Sequence, residues 1–165
     1  MGPCLSPQNA WNVLQGIETL SVRMEKHCSN ALKMVEYLSN HKSVAWVSHA
    51  SLKDNPDYEL AKTLLPKGTG SMIAFGIKGG KEAGAAFIDN VKLASHLANV
   101  GDTRTLVIHP ASATHSQMDE ATLKLANMSH DMIRLSVGIE DIEDIINDFE
   151  DGFRAAKKPK LVANK

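Results

Sequence analysis

The sequence predicts an α+β fold, an α/β sandwich in which helices pack on one face of a mixed, largely antiparallel sheet. Three observations lead to this prediction. Apolar residues recur with helical spacing at both ends of the chain, short segments of strand length lie between them, and a Gly-Asp turn separates two of these segments. The helices are uneven in length, which disfavours a doubly wound parallel sheet.

The first helix is predicted to begin at Pro7, with Ser6 as its N-cap. Its apolar or small residues recur in alternating steps of four and three, so that they share one helical face. These residues are Ala10, Leu14, Ile17, Ser21, Met24, Cys28, Ala31, Val35 and Leu38. Gly16 is expected to kink this helix or to divide it in two. The pattern favours a long helix lying on a core over a coiled coil.

The strands are predicted from apolar runs and from alternation of apolar residues. They cover residues 44–47, 71–77, 105–108 and 132–137, with a fifth just before Asn99. The fifth strand and 105–108 are expected to bracket a tight turn at 99–102. Short helices are predicted at 58–65, 81–91 and 119–127. A last helix begins near Asp141 and buries Ile142, Ile145, Phe149 and Phe153.

Length and composition restrict the class of protein. The 165 residues suit one domain, which we assign to 1–156, followed by a flexible basic tail at 157–165. A net charge of −1 disfavours nucleic-acid and anionic-membrane partners. Cys4 and Cys28 provide no disulfide framework, and no apolar run is long enough to span a membrane. We therefore expect a soluble cytoplasmic domain.

A histidine-flanked loop follows the predicted strand 105–108. His109 and His115 enclose a stretch rich in hydroxyl groups, but no Asp, Glu or Cys within the loop completes a metal site, so no metal is expected. Catalysis by a Ser-His-acid group stays open, although the chain has no Gly-x-Ser-x-Gly motif. The loop either lines a small-molecule pocket or is an ordinary surface loop.

Arg134 is the most informative single residue, because it stands between apolar residues of a predicted strand. A guanidinium group in that position needs an anionic partner. That partner is either an acid of the fold, such as Asp131 or Glu140, or the carboxylate of a bound amino acid, which the planar guanidinium matches with two parallel hydrogen bonds. The sequence leaves both alternatives open.

Several motifs resemble the pyridoxal-phosphate enzymes of cysteine and methionine metabolism. They are Leu-Ser-Pro-Gln-Asn-Ala at 5–10, Gly-Ile-Glu-Thr-Leu at 16–20, Arg-Met-Glu-Lys-His at 23–27, Asn-Val-Gly-Asp at 99–102, Ile-His-Pro-Ala-Ser at 108–112, Thr-His-Ser-Gln at 114–117 and Ile-Arg-Leu-Ser-Val-Gly-Ile-Glu-Asp at 133–141. The resemblance covers residues 2 to about 155. The Asn-Val-Gly-Asp motif is most similar to the O-acetylhomoserine sulfhydrylase branch of this family.

The resemblance implies that the chain is the small C-terminal domain of a fold-type-I pyridoxal-phosphate enzyme. It implies that Arg134 binds the α-carboxylate of a small amino-acid substrate, and that Asn99 and Val100 line the same pocket. It also implies pyridoxal 5'-phosphate as the cofactor of the intact enzyme, which is a homo-oligomer. The reaction expected of that enzyme is the formation of homocysteine from O-acetylhomoserine and sulfide.

One departure from the family bears on activity. The Ser-x-Thr-Lys motif that carries the family's Schiff-base lysine does not occur in these 165 residues, and the resemblance places it in the missing N-terminal cofactor-binding domain. The chain is therefore expected to contain no catalytic and no cofactor-binding residue, and to hold neither cofactor nor activity by itself. Asn127, where relatives more often have glycine, is a smaller departure. The alternative is a stand-alone module that binds amino acids or proteins without catalysis.

Overall fold

The computed structural model describes residues 4–111, 113 and 128–157. Its helices are α1 (Pro7–Glu18), α2 (Leu20–Asn40), α3 (Tyr58–Leu64), α4 (Gly80–Ile88) and α5 (Ile142–Ala156). Its strands are β1 (Val44–Ser48), β2 (Met72–Ile77), β3 (Ser95–His96), β4 (Leu106–Ile108) and β5 (Met132–Ser136). The helix expected at 119–127 and the tail beyond residue 157 lie outside the described residues.

The five strands form one mixed sheet in the order β1-β2-β5-β4-β3. The pairs β1–β2, β2–β5 and β4–β5 are antiparallel, and β3–β4 is parallel. The last strand in the chain, β5, lies at the centre, where Arg134 is paired with Ala74 of β2 and with Ile108 of β4. The predicted fold class, a mixed and largely antiparallel sheet with helices, is confirmed.

The core lies between one face of the sheet and helices α2, α4 and α5. Alternation along the strands sends Phe75 of β2 and Leu135 of β5 to this face, where both are fully buried. The core also contains Phe87 of α4 and Phe149 and Phe153 of α5, whose rings lie at centroid distances of 4.9–6.4 Å. The predicted buried stripe of the last helix is confirmed.

The N-terminal helix is divided, but not at the predicted position. Gly16 is helical, and the break falls at Thr19. Ser6 caps α1 as predicted, since its hydroxyl accepts from the amide of Asn9 at 3.2 Å. Arg23 bridges the break by donating to the carbonyl of Gly16 and to the Thr19 hydroxyl.

The predicted buried stripe holds only in the second half of this segment. Ala31, Val35 and Leu38 of α2 are buried as expected, whereas Leu14 and Ile17 of α1 are more than half exposed. No residue of α1 is buried. The spacing of apolar residues indicates that a helix has an apolar face. It does not indicate whether that face packs on the core of the same domain.

The tight turn predicted at 99–102 is wrong. The two flanking strands, β3 and β4, run parallel, so residues 97–105 form a longer loop that returns the chain to the starting end of β3. We call these residues the 97–105 loop. Asp148 of α5 fixes the entry to β3, because its carboxylate accepts from the amides of Lys92, Leu93 and Ala94 at 2.6–3.0 Å. The Gly-Asp pair indicates a local turn, but it does not determine the direction of the next strand.

Candidate functional site

Arg134 projects from the sheet face opposite the helical core. Its neighbours in β5, Ile133 and Leu135, are fully buried in the core, so alternation places Arg134 on the other face. The side chain is partly buried. Its Nη2 atom donates to the main-chain carbonyl oxygen of Asn99 at 3.4 Å. The structure thus brings together Arg134 and the 97–105 loop, which carries Asn99 and Val100.

The acids that could have paired with Arg134 are engaged elsewhere. The carboxylate of Asp131 accepts from the indole Nε1 of Trp46 at 2.9 Å. The carboxylate of Glu140 accepts from the amide and the hydroxyl of Thr105 at 2.6 and 2.8 Å. Within the described part of the chain, no Asp or Glu lies within 4.0 Å of the Arg134 guanidinium. The guanidinium N–H groups of Arg134 are therefore not bound by any carboxylate of the described residues.

The 97–105 loop is braced by its own side chains. The side-chain oxygen of Asn99 accepts from the amide of Val100 at 2.8 Å, and Gly101 adopts a left-handed φ of 78°. Asp102 accepts from the amide, Nε and Nη2 of Arg104 at 3.0–3.2 Å. These bonds from Arg104 lower the pKa of Asp102 to about 2. The carboxylate is therefore ionised at neutral pH, and the loop holds a defined shape.

The loop is also tied to the segment that follows β5. The Oγ1 atom of Thr105 accepts from the amide of Gly138 at 2.9 Å, and the carbonyl of Thr103 accepts from the amide of Ile139 at 2.9 Å. A Cβ atom on Gly138 would lie 2.1 Å from a carboxylate oxygen of Glu140 and 2.5 Å from main-chain atoms of the loop. Glycine is therefore required where these two segments meet.

Helix α2 supports that segment from the other side. The amide nitrogen of the Asn30 side chain donates to the carbonyls of Gly138 and Glu140 at 3.1 and 2.9 Å. The Nδ1 atom of His27 lies 2.6 Å from the carbonyl of Val137. His27 and Asn30 are both buried. Polar side chains of α2 thus hold the main chain just beyond the strand that carries Arg134.

The histidine-flanked loop is described only at its beginning. His109 is fully buried, and its Nε2 atom lies 2.8 Å from the carbonyl of His130. Burial lowers the pKa of His109 despite this hydrogen bond. The ring also packs closely on α4, since a Cβ atom on Gly84 would come within 2.7 Å of it. His115 and most of the loop lie outside the described residues.

Sequence reasoning missed the residues that support this site. The sequence assigns no supporting role to Thr105, Asn30 or His27, and it offers Glu140 only as a partner for Arg134. Some signal was present in the chain. Thr105 directly precedes the apolar run of residues 106–108, where a buried polar group requires a hydrogen-bond partner. The identity of that partner depends on tertiary contacts that spacing does not give.

Comparison with known proteins shows the family to which the chain belongs. Residues 1–154 match the family model of Cys/Met metabolism PLP-dependent enzymes. The chain belongs to this family. It is 54% identical over 154 residues to an O-acetyl-L-homoserine sulfhydrylase of Corynebacterium glutamicum, an alignment that covers 93% of this chain and 35% of the relative.

Two further proteins are similar to the chain. An L-methionine gamma-lyase of Fusobacterium nucleatum is 44% identical over 151 residues, which cover 92% of this chain and 38% of the relative. A chain from Campylobacter jejuni assigned as an O-acetylhomoserine (thiol)-lyase superposes with a TM-score of 0.84 at 38% identity, over 93% of this chain and 36% of that one. That structure contains N'-pyridoxyl-lysine-5'-monophosphate. The chain spans little more than a third of the length of these proteins.

Proposed function

We propose that this chain is the C-terminal, substrate-carboxylate-binding part of an O-acetylhomoserine sulfhydrylase. Such an enzyme replaces the acetoxy group of O-acetylhomoserine with sulfide to give homocysteine. The observation that carries the proposal is the environment of the Arg134 side chain. Its guanidinium is oriented by the carbonyl of Asn99 and, among the described residues, is paired with no carboxylate.

The chemistry of Arg134 favours an external anion over a purely structural role. A partly buried guanidinium without a carboxylate retains a desolvation cost that a bound anion offsets. An α-carboxylate presents two oxygens in the plane of the fork, which suits two parallel charge-assisted hydrogen bonds. Asn99 and Val100, whose side chains are exposed, would then line the pocket that receives the rest of the amino acid.

The exposed face of α1 supports the proposal that a further domain covers this chain. Trp11, Val13, Leu14 and Ile17 each expose more than half of their surface, and no residue of this helix is buried. A continuous apolar face of this kind marks an interaction site. We assign it to the N-terminal cofactor-binding domain, since the relatives are nearly three times longer than the segment matched here. The complete enzyme is proposed to be a homo-oligomer.

Pyridoxal phosphate does not fit the described residues by themselves. The family's cofactor requires a lysine amine, and no lysine of the described residues makes a hydrogen bond to Arg134 or Asn99. Lys78 instead donates to the carbonyl of Lys42, and Lys62 pairs with Glu59. We therefore derive no step through the cofactor from this chain, and propose that the chain alone holds neither cofactor nor activity.

The cytoplasm is the proposed compartment. Cys4 and Cys28 are both free thiols. Free thiols fit a reducing compartment, since disulfides are favoured in oxidising ones. In the described residues, no helix is both long and apolar enough to cross a membrane.

A stand-alone binding module is the second candidate function. It is favoured by the single contiguous core that α2, α4, α5 and the sheet form without any contribution from α1. A module of this kind would use Arg134 to bind an amino acid or an acidic group of a protein, and it would perform no chemistry.

A chimera tests the proposal directly. The 154 residues of this chain that align with the Corynebacterium glutamicum enzyme replace the matching segment of that enzyme, and homocysteine formation from O-acetylhomoserine and sulfide is measured. We expect the chimera to be active and the 165-residue chain alone to be inactive. An inactive but folded chimera, or homocysteine formed by the chain alone above a heat-killed control, contradicts the proposal.

Variants of the chimera test the role of Arg134. A hydrogen bond to a charged group contributes roughly 1.5–3 kcal/mol, so Arg134→Ala is expected to lower kcat/KM about 10–150-fold, mainly through KM. Arg134→Lys keeps the charge but loses the fork, so it should not restore the parent value. Asn99→Ala should cost less. If Arg134→Ala unfolds the protein while Arg134→Lys retains full activity, Arg134 has a structural role.

A further inference from the structure

The Thr105–Glu140 pair lies where the 97–105 loop, the segment after β5 and helix α2 are linked. Thr105 is fully buried although it closes a loop that is otherwise largely exposed. Its amide and hydroxyl occupy the two carboxylate oxygens of Glu140, one each, at 2.6 and 2.8 Å. The amide and hydroxyl of Thr105 and both carboxylate oxygens of Glu140 therefore help to fix the end of the loop.

The hydroxyl of Thr105 acts both as a donor and as an acceptor. It donates to Glu140 and accepts from the amide of Gly138 at 2.9 Å. The carbonyl of Glu140 is itself held by the Asn30 side chain at 2.9 Å. A chain of hydrogen bonds thus runs from α2 through the 138–140 segment to the base of the loop.

The main chain of the loop connects this hydrogen-bonded base to the guanidinium of Arg134. The 97–105 loop supplies the Asn99 carbonyl, which is the one hydrogen-bond acceptor of Arg134 in the described residues. At 3.4 Å this hydrogen bond is long, so a small outward shift of the loop would break it. The orientation of the fork therefore depends on how firmly the base of the loop is held.

From these contacts the structure assigns Thr105 and Glu140 as positioning residues that set the orientation of Arg134 for an α-carboxylate. This assignment rests on the proposed function, in which Arg134 binds that carboxylate. Neither residue contacts Arg134 directly. They act through the main chain of the loop, and their loss leaves the charge of Arg134 in place but the fork misaligned.

The first test uses the chimera and a substrate comparison. Thr105→Val preserves the shape of the side chain but removes the hydroxyl. We expect KM for O-acetylhomoserine to rise about 3–10-fold with kcat within twofold of the parent, because Arg134 keeps its charge and loses only part of its alignment with the carboxylate. The α-methyl ester of O-acetylhomoserine lacks the carboxylate, so its KM should not change. Thr105→Ser keeps the hydroxyl and should restore the parent KM.

A matched control lies two residues away. Thr103 is exposed and uses only its main-chain carbonyl, so Thr103→Val makes the same chemical change without touching the pair. It should behave as the parent. Glu140→Gln should raise KM as Thr105→Val does. A parent-like KM in Thr105→Val, or a rise shared equally by the acid and its ester, overturns the assignment while leaving the proposed function intact.

A second readout does not depend on activity. In the 165-residue chain, nitrogen-15 NMR follows the Nε–H of Arg134 and the amides of 99–104. Thr105→Val should shift these signals and accelerate their hydrogen exchange, whereas the amide of Ile145 in the core stays protected. If the chimera is inactive, the proposed function fails and this measurement decides the positioning role. Unchanged signals in the loop and at Arg134 would overturn it.

Discussion

Replacement of Asn30 measures how strongly α2 holds the segment beyond β5. The Asn30 side chain is fully buried and gives two hydrogen bonds from one nitrogen, to the carbonyls of Gly138 and Glu140. A neutral hydrogen bond contributes about 0.5–1.5 kcal/mol, so Asn30→Ala should lower the free energy of unfolding by about 1–3 kcal/mol. For a chain of this size the corresponding decrease in Tm is about 2–12 °C.

Asn30→Asp separates the hydrogen bonds from the packing, because it preserves the shape of the side chain. At neutral pH the new carboxylate would face two carbonyl oxygens without a donor. A buried charge without a partner costs about 3–5 kcal/mol, so this variant should be less stable than Asn30→Ala. Relative to the parent, its loss of stability should shrink as the pH falls towards 4, because protonation removes the charge.

The assay is urea unfolding of the 165-residue chain, followed by circular dichroism at pH 7 and pH 4. Asn40→Ala is the matched control, since Asn40 lies in the same helix and donates to the carbonyl of Glu36 at 2.9 Å, but is exposed. It should change the free energy of unfolding by less than about 0.5 kcal/mol. Equal losses for the two alanine variants, or a parent-like Asn30→Asp, would refute the reasoning.

Two further predictions concern self-association and pH. The 165-residue chain should self-associate through α1, and the double variant Trp11→Glu/Leu14→Glu should be monomeric by sedimentation; a strict monomer before mutation that binds no hydrophobic dye would contradict this. Burial lowers the pKa of His41, His49 and His109, so the unfolded chain binds more protons just below pH 6.5. Unfolding by urea should therefore show full stability above pH 6.5 and a loss at lower pH, of at most about 1.4 kcal/mol per pH unit for each histidine. His49→Gln should flatten this dependence, and a stability that rises towards pH 5.5 would contradict it.

The sequence was sufficient to predict the elements that bury a regular apolar pattern. The stripe of α5 and the alternation of β2 and β5 follow from periods of 3.6 and 2, which depend on local geometry alone. The direction of β3 relative to β4 was predicted wrongly, because it is set by anchors distant in the chain. Asp148 holds the start of β3, and Glu140 holds the end of the loop that leads to β4.

The candidate site was predictable in part. The sequence indicates Arg134 because a charge among apolar strand residues requires a partner. The structure places Arg134 within hydrogen-bond distance of the carbonyl of Asn99 in the 97–105 loop, and the roles of Arg134, Asn99 and Val100 stay predictions. The identity of the supporting residues was not predictable from spacing. Asn30 meets Gly138 and Glu140 across more than 100 positions of sequence, and such contacts exist only after the chain has folded.

The central position of β5 has a consequence for the order in which the chain folds. Strand β2 and strand β4 each need β5 as their neighbour, yet β5 is the last of the described strands to be synthesised. Until Met132–Ser136 emerges, β2 and β4 each present an unpaired edge, and such edges pair readily with other chains. Contacts of long sequence separation also slow folding. The nascent chain is therefore most exposed to aggregation in the interval before β5 inserts. Insertion of this one strand joins the two halves of the sheet and places Arg134 beside the 97–105 loop.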